Sequence, residues 1–193
     1  MRALLAWSVL LLLAGCHTLA PIANAPWSER RAALQALGNY RFNGQLAAAT
    51  ATDGFSASLR WQQQGAASDV LLRAPLGVGG AHLSYDGALL RMTATDGTQL
   101  EGEPAHAELV RLLGFEPPLT SLRYWLLGVP DPAEPDAIET LDDTQRLAHL
   151  QQGDWQIDYG EYLHTDAQWL PRRVAIQHGA LRLKLRVSNW QLP

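Results

Sequence analysis

Two segments in which apolar and polar residues alternate constrain the fold of this chain more than any other feature. They are residues 55–62 (FSASLRWQ) and 181–188 (LRLKLRVS). A period of two places every second side chain on the same face, as in a strand with one buried face. In the second segment the opposite face carries Arg182, Lys184 and Arg186 and is strongly basic. Two long strands, each with one apolar face, are therefore predicted.

Further strands are predicted from the same periodicity and from turn dipeptides. Asp53-Gly54, Asp86-Gly87 and Asp96-Gly97 are typical of tight turns between strands. Because short apolar runs flank these turns, most of the chain is expected to be an antiparallel meander. The predicted strands are residues 40–50, 55–62, 70–73, 81–85, 89–93, 145–151, 155–159, 169–177 and 181–187.

Three short helices are predicted at residues 28–37, 104–113 and 118–127. Ser28 is the expected N-cap of the first helix, and Gly38 is its expected stop. The residues predicted to share an apolar helix face are Ala105, Leu109, Leu112 and Leu113 in the second helix and Leu119, Leu122 and Leu126, with Trp125 beside them, in the third. The segment 129–143 contains three prolines and is predicted to be a loop outside any sheet.

The predicted strands and helices together define a fold class. Long antiparallel strands with one apolar face must curl over something, and the three helices are the material available. The expected fold is mainly β with short helices (α+β). Its curved antiparallel sheet forms an unclosed barrel, with the helices across the mouth.

The first sixteen residues have the pattern of a bacterial lipoprotein leader. Arg2 precedes an apolar run over residues 3–13, which ends in Leu13-Ala14-Gly15-Cys16. The run is shorter than the roughly 20 apolar residues that span a bilayer. Cys16 is the one cysteine of the chain, so no disulfide partner exists, and attachment of a lipid would consume its thiol. We expect a signal peptide at 1–15, a lipidated cysteine and tether at 16–26, and one domain at 27–193.

Composition and motif searches exclude several classes of function. The net charge is -4 and no Lys/Arg tract is present, so nucleic acid is not an expected partner. The six histidines include no pair at metal-ligand spacing, and no H-E-x-x-H or G-x-S-x-G motif occurs. His164 with Asp166 and the pair Asp142-Asp143 are interpreted as polar turns. No enzyme, no metal and no cofactor other than the lipid on Cys16 is expected.

Five segments, in order and spacing, resemble the LolB family, the outer-membrane lipoprotein receptors of the Lol sorting pathway. They are residues 59–63 (LRWQQ), 72–77 (LRAPLG), 118–128 (PLTSLRYWLLG), 155–159 (WQIDY) and 183–190 (LKLRVSNW). The resemblance extends over residues 40–192. The acidic, proline-rich segment 129–143 fits it least well. His17 follows the cysteine where an inner-membrane retention signal would have Asp, which favours the outer membrane.

The resemblance implies an unclosed barrel whose helices form a lid over a hydrophobic cavity. A protein of this kind would be a monomer anchored in the outer membrane. It would take lipoproteins from the periplasmic carrier LolA, hold their acyl chains in the cavity and insert them into the membrane. The resemblance also implies that Leu76, between Pro75 and Gly77, protrudes and takes part in insertion.

Candidate cavity walls follow from strand parity and helix faces. They are Leu59, Trp61, Leu72, Leu109, Leu122, Trp125, Leu126 and Ile157. Three other functions stay open on the sequence: a structural lipoprotein that binds a protein partner and has a filled core, a lipid carrier that does not deliver to membranes, and an envelope hydrolase. A solvent-accessible apolar cavity would count against the structural lipoprotein.

Overall fold

The computed structural model describes residues 25–51, 53–75, 79–134, 136–165 and 168–193. Within these ranges the helices are α1 (Trp27–Gln35), α2 (Glu103–Leu113) and α3 (Leu119–Trp125). The strands of the same ranges are β1 (Asn39–Ala49), β2 (Gly54–Gln64), β3 (Ala67–Arg73), β4 (Gly80–Tyr85), β5 (Leu90–Ala94), β6 (Gln99–Glu101), β7 (Ile138–Leu141), β8 (Leu147–Gln152), β9 (Trp155–Thr165), β10 (Gln168–His178) and β11 (Leu181–Gln191).

All of these strands belong to one antiparallel sheet of 11 strands, in the order β6-β5-β4-β3-β2-β1-β11-β10-β9-β8-β7. Consecutive strands pair with each other within the series β1 to β6 and within the series β7 to β11. The pairing of β1 with β11 joins the two series. The edge strands β6 and β7 do not pair with each other, so the barrel is unclosed. This confirms the predicted fold class.

The apolar residues of the alternating segments are mostly buried, and the polar residues between them are mostly exposed. In β11, Leu181, Leu183, Leu185 and Val187 are buried while the residues between them are exposed. β1 and β2 also bury every second residue, on the same face of the sheet as β11. Their aromatic side chains pack against each other across the strand pairing. The Phe42 and Trp61 rings lie stacked at 6.3 Å between centroids, and Phe42 lies 4.7 Å from Trp190. The core therefore lies on the concave side of the sheet.

Helices α2 and α3 cover the concave side, and each ends at a left-handed glycine. Gly114 follows α2 with φ 79°, and its N–H donates to the Val110 carbonyl at 2.7 Å. Gly128 follows α3 by three residues, also with φ 79°. A Cβ at Gly128 would lie 2.9 Å from Pro171 Cγ, so this turn passes close to β10. Each of the two helices is thus followed by a glycine in a conformation that other residues do not readily adopt.

Helix α1 does not start at the predicted cap. The Pro26 carbonyl accepts from the N–H groups of Glu29 and Arg30, both at 3.1 Å, so the helix begins at Trp27 and Ser28 is not its N-cap. It also ends at Gln35, before Gly38 is reached. Trp27 and Arg31 both donate to the Glu139 carboxylate, at 2.7 and 2.5 Å. These bonds fasten α1 to β7.

The expectation of a loop throughout 129–143 was wrong for its second half. Residues 138–141 form β7, which pairs with β8 on one side only. An edge strand needs hydrogen bonds on one side, and the described prolines of this segment precede it. Ile138 is 60% exposed on this edge. β6 was not predicted, because its three residues carry too little pattern to identify a strand.

Candidate functional site

The concave side of the sheet and the helical lid enclose a cavity whose walls are entirely apolar. We call the α2–α3 segment, residues 103–127, the lid. The sheet contributes Leu46, Leu59, Trp61, Val70, Leu72, Leu83, Val174, Ile176, Leu183 and Leu185. The lid contributes Leu109, Leu113, Phe115, Pro117, Leu119, Leu122 and Leu126. No charged or hydrogen-bonding side chain lies among these described wall residues, except for the indole N–H of Trp61.

The indole N–H of Trp61 does not offer a bond to a ligand. Trp61 Nε1 donates to the Gln63 side-chain oxygen at 3.0 Å, which keeps it satisfied at the edge of the cavity. The cavity is therefore chemically uniform. Pockets for polar ligands carry a few convergent polar groups that fix the ligand's orientation. This one has the chemistry to hold hydrocarbon of unspecified shape.

The cavity volume is about 90 Å³. Pockets that enclose drug-sized ligands occupy about 300–1,000 Å³, so the cavity is much smaller than a long-chain ligand requires. The lid therefore lies close to the sheet. A larger apolar ligand fits only if the walls of the cavity move apart.

An open groove of about 230 Å³ lies next to the cavity, at the end of β2 and β3. Leu72, Leu109 and Leu113 line both spaces, so these side chains lie between the groove and the cavity. Ala74 and Gly79 line the far side of the groove. The Ala74 N–H donates to the Gly79 carbonyl at 3.1 Å, where the β3–β4 ladder ends. The groove therefore runs from the cavity to the β3–β4 loop.

Of the exposed apolar residues of α2, Leu112 lines this groove and Val110 does not. Leu112 is 43% exposed and Val110 is 37% exposed. Leu112 was predicted to share an apolar helix face with Ala105, Leu109 and Leu113. It lines the groove together with Leu109 and Leu113, and the open groove leaves it partly uncovered.

Buried tyrosines hold the C-terminal part of the lid. Tyr40 donates to the Arg123 carbonyl at 2.6 Å and Tyr159 to the Trp125 carbonyl at 3.0 Å. Burial raises the pKa of both hydroxyl groups above the ordinary value for tyrosine, so both remain protonated donors. Trp125 Nε1 donates to the Gln152 side chain at 2.8 Å. α3 is thus bound by hydrogen bonds at its end, whereas α2 is held mainly by apolar contacts.

The structure places the predicted wall residues in two groups. Leu59, Trp61, Leu72, Leu109, Leu122 and Leu126 lie around the cavity. Trp125 and Ile157 do not line it. Trp125 is 1% exposed and directs its N–H toward Gln152, and Ile157 is 0% exposed within the core. Parity alone could not separate these two groups, because both face the concave side.

Several wall residues were not predicted, although their signal was present. Leu183 and Leu185 belong to the most regular alternation in the sequence, and Val174 and Ile176 pair with them across β10 and β11. Phe115 lies between the two helices, where no periodic pattern identifies an inward side chain. The strand residues could have been found from parity, but Phe115 could not.

The remaining predicted site residues lie mostly outside the described ranges. Pro75 is exposed at the edge of the β3–β4 loop. Leu76 and Gly77, and the leader with Cys16, fall outside the described residues. The lipidation site and the role of Leu76 therefore stay predictions.

The polar pairs noted in the sequence have structural partners where they are described. Asp142 accepts from the Thr144 and Arg146 N–H groups at 2.8 and 2.9 Å in the β7–β8 turn. Burial alone would raise the pKa of Asp142, but these bonds leave it below its ordinary value. His164 packs on Trp169 at 4.8 Å, and Asp166 lies outside the described residues. Among described residues, no group of three or more His, Cys, Asp or Glu is arranged to hold a metal ion.

No helix within the described part of the chain has the length and apolar character needed to span a bilayer.

Comparison with known families gives a match over most of the domain. The family model described as "Outer membrane lipoprotein LolB" matches residues 38–190. An outer-membrane lipoprotein LolB from Nitrosococcus oceani is 36% identical over 188 residues, covering 95% of this chain and 94% of that protein. The LolB of Pseudomonas paraeruginosa is 32% identical over 199 residues, covering 99% and 96%.

Solved structures with a similar fold are distant in sequence. A LolA superfamily protein from Nitrosomonas europaea superposes with a TM-score of 0.56 at 10% identity, covering 88% of this chain and 94% of that one. A DUF1329 family protein from Desulfovibrio piger gives a TM-score of 0.54 at 8% identity, covering 86% and 90%. At these identities the likeness concerns the fold alone.

Proposed function

Because the chain belongs to the LolB family of outer-membrane lipoproteins, we propose that it is a receptor for lipoproteins arriving at the outer membrane. It accepts them from a periplasmic carrier of the LolA type, holds their acyl chains in the cavity under the lid, and inserts them into the outer membrane. Family membership makes the chain a lipid-anchored outer-membrane protein of lipoprotein localization, and not an enzyme.

The observation that carries the proposal is the uniformly apolar wall of the cavity. Acyl chains are the part that lipoproteins share, and their recognition needs no directional bond. Each buried methylene contributes about 0.8 kcal/mol. A cavity with no hydrogen-bonding group directed into it therefore favours hydrocarbon without selecting the protein attached to it. This suits a receptor that handles many cargoes.

The narrow cavity lowers the affinity of the receptor for an acyl chain. The cavity of about 90 Å³ must widen for an acyl chain to enter, which separates α2 from its apolar contacts with the sheet. The lost contacts subtract from the affinity for the chain. A site that binds moderately can still release cargo to a bilayer, which offers the acyl chain a larger apolar environment. No nucleotide is then needed for delivery.

The groove beside Leu109 is the proposed route for the acyl chain. It connects the cavity wall at Leu72, Leu109 and Leu113 to the β3–β4 loop. Leu76, between Pro75 and Gly77 in the sequence of that loop, is the proposed insertion residue. A leucine that enters the bilayer interface at the end of the groove lowers the barrier for the chain to leave.

The anchor completes the proposed arrangement. Cys16 carries the lipid after removal of residues 1–15, and residues 16–26 form the tether to the single domain at 27–193. The receptor acts as a monomer, since one cavity and one loop suffice for one cargo. A tether fixed in the membrane also distinguishes it from a carrier that crosses the periplasm.

A transfer assay tests the proposal. The full lipidated chain is reconstituted in liposomes, and a LolA-type carrier loaded with lipidated cargo is added. Wild type is expected to remove cargo from the carrier and place it in the bilayer, whereas Leu76→Glu should accept cargo and retain it. Ile138→Glu is the matched control, because it places the same charge at an apolar residue that is 60% exposed on the distant edge strand β7. It should behave as wild type.

Failure of the wild type to accept cargo would refute the receptor function. The small cavity volume would then favour the structural lipoprotein, whose core is filled and whose partner is a protein. Equal delivery by Leu76→Glu and wild type would refute the role of the loop alone.

A further inference from the structure

The convex side of the sheet carries a concentrated positive charge. The four adjacent central strands β2, β1, β11 and β10 contain no Asp or Glu along their described lengths. They contain seven of the 15 Lys and Arg residues of the chain, which has a net charge of -4. These four strands therefore carry a net positive charge, and the carboxylates nearest to them lie on the neighbouring strand β9, at Asp158 and Glu161.

We define the basic face as the exposed cations of these strands: Arg41, Arg60, Arg173, Arg182, Lys184 and Arg186. Strand pairing brings them together. Arg186 lies opposite Arg173 on β10 and opposite Gln45 on β1, while Lys184 lies between Ala175 and Ala47. Small neighbours leave Lys184 uncovered, and Arg186 is also exposed.

A depression of about 630 Å³ lies at the centre of the basic face. Arg173, Lys184 and Arg186 line it together with small residues such as Ala47 and Ser56 and with one carboxylate, Asp158, which is paired with His149 at 2.7 Å. Arg173 is neutralised by Glu161, whose carboxylate lies 2.7 Å away. Lys184 and Arg186 have no ion pair with any residue that the structure describes. Two unpaired cations thus border an open space on an otherwise convex surface.

We propose that the basic face binds the anionic phospholipid headgroups of the membrane in which the chain is anchored. A lipid-anchored domain meets that surface continually, at a high effective concentration set by a short tether. Its positive side is attracted to an anionic leaflet and its acidic remainder is repelled. Headgroup phosphates are small and mobile, so they can enter the depression between Lys184 and Arg186.

This binding orients the domain. When the basic face lies on the headgroups, the concave side with its lid points away from the membrane, toward an arriving carrier. The β3–β4 loop lies at one end of the strands, so a tilt of the domain brings it down to the bilayer. The inference uses the outer-membrane location and does not depend on transfer of cargo.

The test uses the full lipidated chain in vesicles and measures which side faces the membrane. Ser188→Cys places a fluorophore on the basic face, since Ser188 is exposed on β11. Ala107→Cys places it on the exposed side of α2, within the lid. Cys16 is the one natural cysteine and is consumed by the proposed lipid, so each variant has one free thiol. Energy transfer to headgroup-labelled lipid reports proximity.

In vesicles of phosphatidylcholine with phosphatidylglycerol, energy transfer from position 188 should exceed that from position 107. In pure phosphatidylcholine the two should be alike. Raising the salt from about 0.1 M to about 1 M, which shortens the Debye length from about 10 Å to about 3 Å, should remove the difference. Each cation near an anionic surface strengthens binding to it about fivefold. The double variant Lys184→Gln with Arg186→Gln should therefore lower the preference for the orientation with the basic face on the membrane by up to about 25-fold.

Arg91→Gln with Arg111→Gln is the matched control, because it removes the same charge from residues outside the basic face and should leave the orientation unchanged. Circular dichroism establishes that both double variants are folded. Equal energy transfer from position 188 in vesicles with and without phosphatidylglycerol would overturn the proposal. If the lipid response were absent but the Lys184 and Arg186 variant slowed cargo acceptance, the basic face would be a protein-binding surface and the lipid proposal would be wrong. Normal transfer of cargo without any orientation effect would overturn this inference and leave the receptor function intact.

Discussion

Replacement of Leu109 by alanine tests whether the cavity and the groove are separated as the structure shows. Leu109 is 2% exposed and borders both spaces from α2. The substitution removes three carbon atoms, whose transfer from water contributes about 2.4 kcal/mol at about 0.8 kcal/mol each. A fully packed leucine costs more, up to about 5 kcal/mol, because a new cavity is also formed. Leu109 already faces open space, so its loss should stay near the lower limit, at about 2–3 kcal/mol.

Leu150→Ala is the matched control for this prediction. Leu150 is 0% exposed on β8 and does not border the cavity or the groove. Its replacement should cost about 4 kcal/mol, within the range for leucines in filled cores. The free energy of unfolding is measured in urea with tryptophan fluorescence. Equal losses at the two positions, or a larger loss at Leu109, would refute the interpretation that Leu109 faces a void.

The same two variants also distinguish an effect on the rate of ligand entry from a general loss of stability. With Leu109→Ala the cavity and the groove become one space, and α2 loses part of its hold on the sheet. A fluorescent acyl probe should then enter faster, by up to about thirtyfold if about 2 kcal/mol of lid contacts is lost. Stopped-flow fluorescence measures the rate. Leu150→Ala should not accelerate entry, so acceleration by both variants would show that general loosening is responsible.

Three further substitutions have defined outcomes. The lowered pKa of Asp142 makes its charge stabilising above the unfolded-state pKa of about 4, and that contribution is lost as pH falls through the folded-state pKa; urea unfolding of Asp142→Asn should therefore show a loss under about 1 kcal/mol at pH 7 that shrinks as pH is lowered below about 4. Tyr159→Phe removes the donor to the Trp125 carbonyl and should cost about 1 kcal/mol and accelerate amide exchange in α3. Gly114→Ala should cost more than Gly65→Ala in thermal unfolding, because both have positive φ but only Gly114 has a close neighbour, Thr50 Cγ2 at 2.9 Å from the new Cβ.

The sheet could be predicted from the sequence because its signal is local and repeated. The alternation in residues 181–187 and the turn at Asp86-Gly87 each identify a strand or its end without reference to the rest of the chain. Such signals fix the antiparallel order as well, since tight turns join neighbours. β7 was missed because a four-residue edge strand next to prolines resembles a loop.

The cavity could be predicted only in part, because a wall residue and a core residue look alike in sequence. Leu122 and Ile157 both face the concave side, yet only Leu122 borders the open space. The difference depends on where α3 stops filling the barrel, which is a property of the packed molecule. Likewise, the exposure of Leu112 depends on where the groove opens beside α2. Neither boundary leaves a periodic signal.

The location of a bound acyl chain is the most direct test of the account. A lipidated cargo with a photoreactive group in its acyl chain is passed from a LolA-type carrier to the full chain, crosslinked by light and mapped by mass spectrometry. The account predicts crosslinks at the cavity walls, in β2 at Leu59 and Trp61 and in the lid around residues 119–126. Crosslinks confined to the convex side, around Lys184 and Arg186, or absent altogether would contradict it.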